Sequence, residues 1–245
     1  TESLFPEGEG EVKNAGWVPR VLETYEFYRS VLTDYPELKD ILRITLPDLQ
    51  GPLDTLEMLR GGELFVEMID SPEKVKKALI RAAEIQIQCR DLFLPYTTDN
   101  IAECSFQHGF MVKGNILVRN DTAVMISPEV YERVVSAADE KVLKECGEGG
   151  IHSCGKFDQL IPSFLQLDSI SSIDFGESYM NNVDVIYKEA AKKEVPLVRV
   201  QPTAEELTSG SILKRFPTGV SLLYHANSLD EAKELLGQYR KATEL

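Results

Sequence analysis

The chain has 245 residues, 43% of them hydrophobic, enough to bury one large core in a single domain. Its 40 acidic residues outnumber 26 basic ones, for a formal charge of -14, so binding a nucleic-acid backbone would require a local basic patch. None is found: the clusters at Lys74 to Lys77 and Lys192 to Lys193 sit among glutamates at helical spacing and read as solvated faces.

No apolar run approaches the roughly 20 residues that cross a bilayer, which argues against a membrane span. Thr1 to Glu11 is acidic instead of signal-like, so a soluble, cytoplasmic protein is expected. Cysteines 89, 104, 146 and 154 lack short paired spacing, which predicts free thiols or a metal ligand. The absence of an initial Met points to processing, trimming or a fragment.

The first 16 residues are rich in Glu and Gly and lack apolar periodicity, which predicts an acidic arm or loop ahead of a domain spanning 17–245. Val21, Leu22, Tyr25, Tyr28, Val31 and Leu32 then form a helical stripe that ends before Pro36. Ile41 to Leu49 is β-rich and apolar and stops at Gly51-Pro52, the pattern of a buried strand. Ser71-Pro72-Glu73 and Ser127-Pro128-Glu129 each open a helix, with Ser as cap and Pro at the first position. Ser228 with Glu231 forms a capping box for the last helix.

Short β-like runs lie between the helices at Ile101 to Phe106, Gly150 to Cys154, Ser171 to Phe175, Pro196 to Gln201 and Val220 to Tyr224. With Ile41 to Leu49 they make about six strands alternating with helices, the signature of an α/β fold with a parallel sheet. The spacing suits a (β/α)8 barrel of TIM type that is incomplete by about two strands.

Residues two apart on a strand point to the same side, so His152 and Cys154 in Ile151-His152-Ser153-Cys154-Gly155 project together at a strand's C-terminal end. In a barrel that end is the active-site mouth. An imidazole and a thiolate converging there suit zinc; a core cysteine beside a hydrogen-bonded histidine is the alternative. Gly147, Gly149 and Gly150 precede a strand instead of opening a helix, so they form no phosphate loop.

Several segments together resemble the uroporphyrinogen decarboxylase superfamily, which includes zinc-dependent methyltransferases that move methyl groups from methylcobalamin to thiols. They are Leu49-Gln50-Gly51-Pro52-Leu53-Asp54-Thr55, Asn120-Asp121-Thr122-Ala123-Val124-Met125-Ile126-Ser127-Pro128, Ile151-His152-Ser153-Cys154-Gly155-Lys156, Phe164-Leu165-Gln166-Leu167-Asp168 and Ile173-Asp174-Phe175-Gly176. The resemblance covers roughly Pro47 to the end. Its methyltransferase branch implies zinc on His152, Cys154 and a third ligand after the last strand, where this chain has His225 in place of a cysteine. It also implies a methylated corrinoid, carried by a corrinoid protein, as methyl source. The decarboxylase branch implies a catalytic histidine at the same place, again His225 in Tyr224-His225-Ala226, and a hydroxyl at Thr122. That branch's tyrosine falls near Met58, and its arginine-rich N-terminal loop has no counterpart in Thr1 to Leu46.

His108, in Phe106-Gln107-His108-Gly109, lies past a predicted strand and is either a ligand contact or a surface histidine. Asp121 is either a general acid or base or the anchor of its loop. Asp174 closes a strand as a substrate contact or a turn residue, and Arg199 either attracts a carboxylate or pairs with a neighbouring acid. Three functions stay open: a zinc-dependent methyltransferase-like enzyme, a cofactor-free decarboxylase of tetrapyrrole acetate side chains, and a non-catalytic corrinoid- or tetrapyrrole-binding module or split-enzyme subunit. An open sheet edge near Leu46 would pair with a partner chain or a second copy.

Overall fold

The computed structural model describes residues 9–98 and 103–244. Its first part is helical: α1 (Glu9–Asn14), α2 (Val18–Asp34), α3 (Pro52–Arg60), α4 (Glu63–Asp70) and α5 (Pro72–Phe93). A hairpin of β1 (Cys104–Gln107) and β2 (Phe110–Lys113) leads into β3 (Leu117–Arg119). Next comes α6 (Pro128–Val130), which passes through a π-helical turn at Tyr131–Val135 into α7 (Ser136–Glu145). Strands and helices then alternate as β4 (Gly149–Ser153), α8 (Ile161–Phe164), β5 (Ile170–Phe175), α9 (Val183–Ala191) and β6 (Leu197–Val200). The chain closes with α10 (Ala204–Thr208), α11 (Ser211–Arg215), β7 (Val220–Leu222) and α12 (Leu229–Thr243).

Strands β3 to β7 form one parallel sheet in sequence order, and Gln50 adds a single parallel bridge to Arg119 at the β3 edge. The fold is therefore α/β, as the alternating pattern implies. Pleating divides the sheet cleanly. Val118, Ile151, Ile173 and Leu197 stand in one cross-strand row and belong to the main core with the helices. Arg119, His152, Asp174 and Val198 form the neighbouring row on the opposite face. On that face the β1–β2 hairpin packs Val112 and Phe110 against Leu117 and Val198.

The hairpin corrects one expectation. The run through Phe106 is a strand, but it pairs antiparallel with Phe110–Lys113 instead of joining the main sheet; Ile101 itself lies outside the described residues. His108 and Gly109 both have positive φ (51° and 79°), as a two-residue turn that matches strand twist requires. The strand that does precede β4 is Leu117–Arg119, three buried residues too short to stand out in the sequence.

Ile41 to Leu49 is likewise not a strand. Ile44 and Leu46 are buried, but the segment is held by Thr98, whose N–H donates to Ile44 O, and by Tyr25 Oη donating to Thr45 O. Pro47 has no N–H to give a ladder, and only Gln50 reaches the sheet. Among the described residues the open edges are thus β3, beyond that bridge, and β7, not a strand at Leu46. A cavity of about 510 Å³ separates this strap from α2, but its apolar lining includes none of the polar row on the sheet.

The acidic arm is also shorter than expected, because Glu9–Asn14 is helical with Val12 buried; residues 1–8 lie outside the described residues. Ser127 caps its helix through Val130 N, whereas Ser71 makes no side-chain cap. Ser228 accepts from Glu231 N, but the Glu231 carboxylate turns to Asn227 N, so the box is half made. A reciprocal box occurs at Thr203 and Glu206. Among the described residues, no helix is long and apolar enough to cross a membrane.

Candidate metal site

The polar row lies at the C-terminal ends of the strands. His152, only 3% exposed, is the last but one residue of β4, and Cys154 follows the strand on the same side. Their Nε2 and Sγ atoms are 3.5 Å apart. Asp121 opens the turn after β3, and its Oδ1 lies 3.5 Å from His152 Nε2 while accepting the Cys154 N–H at 2.7 Å. Ligand atoms of the three residues all fall within 4.8 Å of one another, and they are the one such group of His, Cys, Asp or Glu among the described residues.

Metal bonds of roughly 2.0–2.3 Å arranged tetrahedrally put neighbouring donors about 3.3–3.6 Å apart, so the two 3.5 Å spacings fit one ion with little rearrangement. The mixed N, S, O donor set suits zinc and leaves a fourth direction open.

The surrounding structure fixes each donor. Asp54, buried in the first turn of α3, accepts the N–H groups of Asp121 (3.0 Å) and Thr122 (2.8 Å). Burial raises the Asp54 pKa, and those hydrogen bonds oppose the rise. Asn120 N donates to His152 O, and Ser153 Oγ donates to Asn120 O, tying the turn to β4. Behind Cys154 the backbone of Gly176 comes so close that a Cβ there would lie 2.7 Å from Sγ. Burial, then the charge of Asp121, pushes the Cys154 thiol up to about 12. Without a cation beside it the thiol is neutral at physiological pH; a metal ion would displace its proton.

On the other side of the ring, His152 Nδ1 is 3.0 Å from Asp174 Oδ2 and 2.8 Å from Arg199 Nη2. Only one can be served. With Nδ1–H donated to Asp174, Nε2 presents its lone pair to the group; with Nδ1 accepting from Arg199, Nε2 carries the proton. The first tautomer is the metal-binding one, and a carboxylate behind a ligating histidine stabilises it.

Arg199 reaches this position by backbone strain. A regular pleat would place it on the helix face with Leu197, but its φ is 61° and the β6–β7 register shifts there. The guanidinium therefore donates to both Asp174 oxygens at 2.6 Å, with the Phe110 ring 5.4 Å away. Of the two sequence readings for Arg199, pairing with an acid is the observed one.

His108 accepts from Arg119 Nη1 at 2.9 Å through Nδ1, so its Nε2–H faces Asp48 Oδ2 at 3.1 Å. Its ring stands edge-on to His152 at 6.0 Å. The positions that sequence reasoning missed are Asp48, Asp54 and Arg119; Asp54 stands in the Gly51-Pro52 segment and Arg119 directly before Asn120-Asp121, so proximity to a singled-out motif was the available signal.

His225 corrects the expected ligand set. It is exposed, beyond the end of β7, and does not belong to the group; Asp121 takes the third place. Compared with protein-family models, curated proteins and solved structures, the chain matches none.

Proposed function

We propose that this chain is a zinc-dependent, methyltransferase-like enzyme of the uroporphyrinogen decarboxylase superfamily, built on an incomplete (β/α)8-type barrel. The observation that carries the reading is the convergence of Asp121, His152 and Cys154, backed by Asp174, at the C-terminal ends of parallel strands. Five parallel strands in sequence order, with Gln50 bridging one edge, are what part of a barrel wall would present. Zinc bound there would lower the pKa of an acceptor thiol and so supply the nucleophile. His152 and Cys154 hold the ion from one strand end, and Asp174, locked by Arg199, keeps the His152 lone pair turned to it. Asp121 would supply the third ligand from the turn after β3, leaving the fourth direction to the acceptor thiol. The methyl group would come from a methylated corrinoid presented by a corrinoid protein in the cytoplasm, a setting that four free cysteines fit. The decarboxylase reading is disfavoured because His225, on which it rests, is exposed away from the group.

The test is to supply zinc-loaded protein with methylcobalamin and 2-mercaptoethanol and follow loss of the methyl–cobalt absorbance. Zinc-dependent transfer is expected, reduced at least about 100-fold in Cys154→Ser and His152→Ala. Transfer that proceeds equally in Cys154→Ser, or none in wild type, contradicts the proposal.

A further inference from the structure

Beneath the site lies a second polar cluster with no solvent contact. Asn120, Tyr131 and Asp139 are each 0% exposed. Tyr131 Oη donates to Asp139 Oδ2 at 2.8 Å, and Asn120 Nδ2 donates to the same oxygen at 2.5 Å. The remaining oxygens, Asp139 Oδ1 and Asn120 Oδ1, have no hydrogen-bond partner. The π-helical turn Tyr131–Val135 precedes Asp139 on the same continuous helix, and such turns recur where a side chain must meet a specific partner.

Two buried acceptors on a bonded pair of side chains lack a single donor, and one proton would satisfy both. We infer that Asp139 is a carboxylic acid whose Oδ1–H donates to Asn120 Oδ1, and that this acid–carboxamide pair makes Asp139 a pH-sensitive positioning residue for Asp121. The positioning role rests on the reading of Asp121 as a metal ligand.

The surroundings favour the neutral acid. Burial is the largest influence and raises Asp139 to about 7; Tyr131 and Asn120 pull downward, and the Asp54 carboxylate on α3 pushes up. From α5, Arg81 pairs with Glu84 and Arg90 with Asp91, while on α7 itself Lys141 pairs with Glu145 and Glu140 accepts from Ser169. Strands β3 and β4 turn Arg119 and His152 to the opposite face of the sheet. None of these supplies a cation to Asp139.

Asn120 transmits the state of the acid, since its N–H holds His152 O, its carbonyl takes Ser153 Oγ, and its neighbour is Asp121. Loss of the proton sets two bare oxygens against each other, so the carboxamide must turn and the Asn120–Asp121 turn shifts with it.

The experiment titrates the metal-free full chain with Co2+ from about pH 6 to 9 and records the infrared carbonyl stretch of protonated carboxylic acids over the same range. In wild type the acid band is present at the low end and disappears as pH rises; cobalt affinity climbs with pH because the metal displaces the Cys154 proton, and across the loss of the band this climb falls short by about 10-fold or more. Asp139→Asn, a neutral side chain of the same shape, lacks the band and shows the full climb without the shortfall. Tyr131→Phe, which removes a donor to the carboxylate, moves both transitions to higher pH. A wild-type protein without the band at the low end, or Asp139→Asn with an unchanged affinity profile, overturns the inference. Failure of the metal reading looks different: no cobalt binds to either protein at any pH, which removes the positioning role while the band still reports whether Asp139 carries its proton.

Discussion

Asp174→Ala is expected to lower the unfolding free energy by about 3–5 kcal/mol near neutral pH, in the range seen when one partner of a buried ion pair is removed. The carboxylate is 1% exposed and takes two hydrogen bonds from Arg199 and one from His152, so its loss leaves a half-buried guanidinium and a buried imidazole unpartnered. Burial pushes the Asp174 pKa up, but the hydrogen bonds and charges of His152 and Arg199 outweigh it and hold the group below its ordinary value. A depressed carboxylate stabilises the fold above its unfolded pKa and loses that contribution as pH falls. The deficit of Asp174→Ala, measured by urea unfolding, therefore shrinks in acid. The double variant Asp174→Leu with Arg199→Met is expected to recover most of the stability without recovering metal binding, because an apolar pair replaces the ion pair but supplies no acceptor for His152 Nδ1–H.

Gly114→Ala has the second large effect. Gly114 joins the hairpin to β3 with φ 102°, a conformation that side chains rarely adopt, and an added Cβ would lie 2.4 Å from Ser171 Oγ and 2.6 Å from Gly149 Cα. The hydroxyl can rotate, but the Gly149 backbone sits in the sheet and cannot yield. Strain and overpacking together are expected to cost about 3 kcal/mol or more, read from the urea midpoint. The hairpin would lift from the sheet, withdrawing Phe110 from Arg199 and His108 from Arg119.

What the sequence conveyed depended on how local each feature is. The helices beginning at Pro72 and Pro128 were legible because Ser-Pro-Glu encodes a start within three residues. Strands β4 to β7 were legible because each is a short run carrying β-formers such as Ile, Val or Phe between helix patterns and turn residues. Ile41 to Leu49 has the same apolar content, yet its burial comes from α2 and Thr98 instead of neighbouring strands, a difference no local pattern records. The hairpin was missed because His108-Gly109 is not a strong turn pair, although it adopts the same backbone.

The site divided in the same way. His152 and Cys154 met as their two-residue spacing required. Asp121 reached them from a turn 31 residues before His152 because Asp54, Asn120 and Cys154 N all grip that turn, contacts that exist only after folding. His225 was placed by resemblance alone, and the described chain leaves it at the surface. For Arg199 the sequence left a substrate carboxylate and a neighbouring acid both open as partners; that it pairs with Asp174 through a left-handed residue inside a strand was not legible, since the propensity of Arg argues against that conformation.

The most direct measurement is zinc content and X-ray absorption on gently purified wild-type protein, compared with Asp121→Asn, Cys154→Ser and His225→Ala. Bound zinc with one sulfur and mixed nitrogen and oxygen neighbours is predicted, lost in Cys154→Ser, weakened in Asp121→Asn and unchanged in His225→Ala. Wild-type protein that takes up no zinc when it is supplied, or zinc that survives Cys154→Ser but is lost in His225→Ala, would contradict the assignment of Asp121, His152 and Cys154 as the metal site.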